Sequence, residues 1–128
     1  MPGGTARKIL SLVTDDFQHA VQMFWLPSEV DLSGSPRAWV FVYANGMWTS
    51  GAPCTSFSFA ADDSSASFTL PTVWASAVGE GMEQVDLITK VCEIGVQSAK
   101  QASGSFVIDG TTYQGTDLIG TTVEHFKC

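Results

Sequence analysis

From Gln18 to Leu26 the chain alternates, placing Val21, Met23 and Trp25 on one side of an extended backbone, and Pro27 ends the run. A period of two is the mark of a strand with one face against a core. Arg37 to Tyr43 repeats the pattern with bulkier residues, setting Trp39, Phe41 and Tyr43 on one face and Ala38, Val40 and Val42 on the other. With both faces apolar and rich in β-branched and aromatic side chains, this segment is expected to be a central strand covered on both sides. Lys8 to Thr14 is a shorter strand ahead of both.

Turn chemistry fixes the connections. Asn45-Gly46 and Asp109-Gly110 each suit a type I′ hairpin, whose two central residues need positive φ. Met47 to Ser50 is therefore expected to pair back on the preceding strand, and Thr111 to Gln114 on Ser105 to Ile108, with a last strand from Leu118 to Phe126. Thr55 to Ala60 and Ser65 to Leu70 alternate cleanly, with Phe57, Phe59, Phe68 and Leu70 inward and Asp62-Asp63-Ser64 turning between them.

Two stretches are less regular. Pro71 to Gly81 has a proline near its start and Gly79 near its end, the offsets of one helical turn packing Val73, Trp74 and Val78 inward. In residues 82–99, Met82, Val85, Thr89, Cys92 and Val96 make a helical stripe, whereas Val85, Leu87, Thr89 and Val91 alternate as a strand. Gly95 and the β-branched content favour the strand. The expected fold is mainly β: an antiparallel β-sandwich, Ig-like or jelly-roll-like, with one short helical segment. Residues 1–7 are expected to be a flexible arm and 8–128 a single domain.

Composition sharpens this picture. The 128 residues suit one domain, and charged residues at 15% leave a surface dominated by Ser, Thr and Gly. A net charge of -7, from 13 acids against 6 Lys plus Arg, opposes a phosphate backbone and argues against nucleic-acid binding. The cations form no basic helix face, no window approaches the roughly 18 apolar residues of a membrane helix, and membrane association is not expected. Arg7-Lys8 before Ile9-Leu10-Ser11-Leu12-Val13 imitates a signal peptide, but Asp15-Asp16 follows where a small-residue cleavage site belongs.

Candidate chemistry is sparse. His19 and His125 lie in no motif that sets them beside a nucleophile, so a dyad with Cys54 would rest on an unshown contact. Cys54, Cys92 and Cys128 lack ligand spacing and are read as free thiols. Asp15-Asp16 and Asp62-Asp63 do not follow a calcium-loop pattern and read as solvated turn acids. The glycines form no phosphate-cradling motif. No catalytic residue, cofactor or metal is expected. The surface candidates are Trp39, Phe41, Tyr43 and Trp48, as an assembly interface or, through exposed Trp39 and Trp48, a platform for sugar rings.

From Gln18 to Gly110 the chain resembles the N-terminal β-sandwich module of tailed-phage upper-baseplate and tail-fibre-attachment proteins. The likeness rests on Met23-Phe24-Trp25-Leu26-Pro27, Val30-Asp31-Leu32-Ser33-Gly34, the Asn45-Gly46 turn, Ser67-Phe68-Thr69-Leu70-Pro71, Gly79 and Ser105-Phe106-Val107-Ile108-Asp109-Gly110. The chain departs from that pattern in its Gln114 to Cys128 extension and in lacking a trimerising fibre region. The resemblance implies a non-enzymatic virion subunit of tail, baseplate or head decoration, assembled in the host cytoplasm. It would work by homo-oligomerisation and contacts with other virion proteins. A carbohydrate-binding module and an acidic inhibitor of a basic partner stand as alternatives.

Overall fold

A computed structural model describes residues 4–26, 37–70, 75–85 and 95–125. Ten strands occur in it: β1 (Gly4–Val13), β2 (Ala20–Leu26), β3 (Arg37–Ala44), β4 (Met47–Trp48), β5 (Ala52–Cys54), β6 (Ser56–Phe59), β7 (Ser65–Thr69), β8 (Ala75–Val85), β9 (Gly95–Ile108) and β10 (Thr111–His125). The mainly β expectation holds. In place of two stacked sheets, however, every described strand belongs to one antiparallel sheet in the order β4-β3-β2-β1-β10-β9-β8-β7-β6, with β5 on the edge of β3.

The sheet curls into a half-barrel because its two ends are joined in sequence. β5 pairs with β3 at one end and β6 pairs with β7 at the other, yet only Thr55 separates them. One residue spans no more than about 7 Å between its neighbours' Cα atoms, so the two ends must meet at this corner. Pro53 sits opposite Trp39 in β5, a short edge segment where a missing N–H is tolerated. The Sγ of Cys54 reaches the carbonyls of Ser56 and Thr69, both at 3.5 Å, which stitches the corner onto β7.

The concave face forms the core. Leu10, Leu12, Val21, Met23, Val40 and Val42 line one wall and are essentially inaccessible. The opposite wall is built from small residues, Ala66, Ala75, Ala77 and Ala102, with Phe68 and Phe106 between them. Across β8, β9 and β10 the register aligns Gly79, Gly104 and Gly115 in one row. A Cβ on Gly79 would lie 2.7 Å from Leu10 Cδ1, and one on Gly115 would lie 2.8 Å from Phe106 Cε1. Leu10 of one wall thus seats on bare backbone of the other, Phe106 lies over the bare backbone of the neighbouring β10, and the inner face is filled by the chain itself.

Both hairpin predictions hold, with φ of 56° and 77° at Asn45 and Gly46 and of 52° and 85° at Asp109 and Gly110. The inward assignments of Phe68 and Leu70 hold too, at 2% and 1% exposure. The helical segment does not: Ala75 to Gly81, assigned to a helical turn, is strand, and Val78, expected inward, is exposed. Gly79 mimics a helix cap in sequence but serves as the seat for Leu10. Val73 and Trp74 lie outside the described residues, as do Leu87, Thr89, Val91, Cys92 and Cys128.

The arm is shorter than expected, because Gly4 to Arg7 already pair with residues 122–125 of β10. The short strands expected near the end are instead two long ones, β9 of 14 and β10 of 15 residues. Asp63 is a further correction. Expected as a solvated turn acid, it is 8% exposed and bonds Lys8 Nζ at 2.9 Å. The Lys8 ammonium also lies 5.7 Å from the centroid of the Phe59 ring, so the pair straps β1 to the β6–β7 turn. Asp62, Asp15 and Asp16 are exposed, as expected of turn acids.

Candidate functional site

β3 decides which aromatics reach the surface. Its register with β2 aligns Val42 with Val21 and Val40 with Met23 on the concave side, which turns Trp39, Phe41 and Tyr43 outward. All three are half-buried on the convex face. The same register brings Phe24 opposite Trp39, and Phe24 meets Phe41 edge-on with ring centroids 5.9 Å apart. Trp48 pairs with Tyr43 across the β3–β4 hairpin, rings 5.2 Å apart, and remains 47% exposed. The structure therefore brings Trp39, Phe41, Tyr43 and Trp48 onto one surface.

Within this surface lies an apolar groove of about 390 Å³, lined by Arg7, Phe24, Leu26, Trp39 and Phe41. Gly51 closes against the Phe41 ring, where an added Cβ would come within 2.8 Å of Cζ. Phe24, Leu26 and Arg7 were missed in the sequence reading. The signal was present in the second face of β2, where Phe24 and Leu26 alternate with the buried Met23 and the inward Trp25.

A second, shallower groove of about 510 Å³ crosses the convex face of β8 to β10, with Glu80, Ser103, Ser105, Gln114 and Thr116 along it and Asp15 at one end. Hydroxyls, an amide and two carboxylates line it, and it carries no aromatic platform. The outer face is thus divided between an aromatic half on β2 to β4 and a polar half on β8 to β10.

At the end of the sheet beside Ala20, the β1–β2 turn projects Phe17 into solvent at 74% exposure and φ 57°. Six hydrogen bonds hold this turn. Thr14 N donates to His19 O at 3.0 Å and Phe17 N to Thr14 O at 2.9 Å. Thr14 Oγ1 donates to Asp16 Oδ1 at 2.6 Å and lies 3.2 Å from His19 O, and His19 N donates back to Thr14 Oγ1 at 3.2 Å. Gln18 N reaches Asp16 Oδ1 at 3.0 Å, and its side-chain amide reaches Asp16 O at 3.3 Å. The Thr14 hydroxyl and the Gln18 amide hold the Asp16 carboxyl below the usual carboxylate range. The His19 ring stacks on Tyr113 at 4.2 Å, and Tyr113 on the buried Phe106 at 5.5 Å, which clamps the turn to the core.

Two titratable groups are displaced by burial. The Cys54 thiol is pushed up, so it stays protonated and is a poor nucleophile. Asp117, between Leu12 of β1 and Ala102 of β9, is also pushed up by burial, against the opposing hydrogen bond from Ser11 Oγ. A raised carboxyl value means that the folded state holds its proton more tightly than the unfolded chain. Stability from this group is therefore full below the unfolded value near 3.9 and declines as pH rises towards the folded value. Asp117→Asn, which keeps an acceptor for Ser11 without the charge, is expected to raise the urea midpoint at pH 7 and to leave it unchanged at pH 3. A fall at pH 7 would show the carboxylate to be stabilising.

The fold and surface define a class: a curled antiparallel half-barrel with a self-filled interior whose distinctive chemistry lies on its convex face. Compared with protein-family models, with curated proteins and with solved structures, the chain matches none.

Proposed function

We propose that the protein is a non-enzymatic structural subunit of a tailed-phage virion, a tail, baseplate or head-decoration component that acts by self-assembly and contacts with other virion proteins. The observation that carries the reading is the aromatic band Phe24, Trp39, Phe41, Tyr43 and Trp48 on the convex face, over which no described strand packs. Half-buried aromatics clustered around a groove are the composition of an interface centre, where desolvation concentrates binding energy. A filled core suits a building block, because it spends the interior on rigidity and leaves recognition to the surface. Resemblance to phage baseplate modules supplies the biological setting.

Light scattering coupled to size exclusion tests this directly. A defined oligomer at tens of micromolar is the expected result, and a monomer across that range overturns the reading. Tyr43 and Trp48, whose rings touch at a 49° tilt, favour carbohydrate binding as the second reading, since an exposed indole braced by a phenol offers a face for a sugar ring. Quenching of tryptophan fluorescence on titration with a glycan panel supports it, and unchanged spectra sink it.

A further inference from the structure

Phe17 occupies a position that the backbone would assign to glycine or asparagine. Positive φ is unfavourable for a bulky aromatic, and the ring gains no compensating burial at 74% exposure. The turn nevertheless holds it there with its hydrogen bonds and the His19–Tyr113 stack. Strain that the surrounding structure over-determines is characteristic of recognition elements. The product is a rigid knob, an aromatic ring preceded by the exposed carboxylates of Asp15 and Asp16.

The complementary shape lies on the same chain. The groove of Phe24, Leu26, Trp39 and Phe41 has room for a phenyl ring at about 390 Å³, and Arg7 at its wall supplies the charge opposite to the knob's. A guanidinium has five donors, enough to keep its contacts within the chain and still meet a carboxylate. Knob and groove of one molecule are not engaged: Phe17 is 74% exposed, and β2 carries the groove away from the turn, from Ala20 through Phe24 to Leu26, on the order of 20 Å at about 3.3 Å per residue.

Resting on the self-assembly reading above, we propose that copies of this chain associate head to tail, with Phe17 of one seated in the Arg7, Phe24, Leu26, Trp39 and Phe41 groove of the next. Such a heterologous contact builds rings or filaments and leaves one free knob and one free groove on any open chain. A second copy is the occupant because its acidic aromatic knob matches the apolar groove and its cation together.

The test uses two variants of the full chain. Phe17→Gly removes the knob and relieves the positive φ, so it is expected to melt no lower than the parent while its self-association weakens by roughly thirtyfold or more. Trp39→Ser disables the groove, and Arg7→Glu does so independently should Trp39→Ser fold poorly. Each variant alone is expected to sediment as a monomer. Mixed in equal amounts, a knob-less and a groove-less variant are expected to form a dimer and stop there, since the intact groove of one accepts the intact knob of the other. A parent that is monomeric removes the assembly reading itself. A parent that assembles as well with Phe17→Gly as without it overturns only the head-to-tail contact, as does a mixture that stays monomeric.

Discussion

Replacing Gly104 with alanine is expected to abolish stable folding, or to cost roughly 3 kcal/mol or more of stability. The added Cβ would lie 2.0 Å from Val78 O and 2.8 Å from Gly79 Cα, both backbone atoms of the paired strand. Backbone in the middle of a ladder cannot rotate away as a side chain can, so relief requires separating β8 from β9 or flattening the curl. Gly46→Ala provides the contrast. Its Cβ meets open space, and only the positive φ of 77° opposes it, for a loss of about 1 kcal/mol. Urea titrations followed by tryptophan fluorescence measure both, and equal losses at the two positions would refute the close-approach account.

Phe106→Ala is expected to produce the second large effect, about 3 to 5 kcal/mol for removal of a fully buried phenyl ring. The position also supports a stack, Phe106 on Tyr113 on His19, that reaches the β1–β2 turn. Loss of the ring leaves Tyr113 without its inner neighbour, and the His19 imidazole is expected to lose the ring-current shift that stacking imposes. Under conditions where the variant remains folded, NMR of the His19 ring protons reads this second consequence. A destabilised variant with an unchanged His19 spectrum would show that core and turn are not mechanically linked.

Much of the local architecture was legible. Alternation set Met23 with Val21 and Trp25 in β2, separated Val40 from Trp39 and Phe41 in β3 and turned Phe68 inward in β7, because side-chain direction in a strand follows sequence parity; β3, expected to be covered on both sides, has no described strand over its aromatic face. The hairpins at Asn45-Gly46 and Asp109-Gly110 were legible because few residues accept two successive positive φ values. Parity does not say what stands opposite a face. A sheet that curls onto itself and two sheets that stack both bury one face of each strand, so the half-barrel was read as a sandwich.

Glycine was the most ambiguous letter. Gly79 read as the end of a helical turn, and nothing in the local sequence marked Gly104 or Gly115, since the alignment of the three exists only once β8, β9 and β10 are in register. The same limit hid the groove. Trp39, Phe41 and Tyr43 shared a face by spacing alone, whereas Phe24, Leu26 and Arg7 joined them through pairing of β1, β2 and β3. Asp63 escaped because its partner Lys8 is 55 positions away, a separation that no local pattern encodes.

The ladder between β1 and β10 has a temporal consequence. It pairs Val13 with Thr116 and Gly4 with His125, so these contacts form only after a loop of about a hundred residues has closed. The β1–β2, β2–β3 and β9–β10 pairings are between sequence neighbours and can form early as separate hairpin units. Joining those units through β1 and β10 is then the slow event, on the millisecond-to-second scale of non-local β topologies. Until it occurs the edges of β1 and β10 are open to other chains, so protein concentration during refolding sets the balance between the native half-barrel and intermolecular strand pairing.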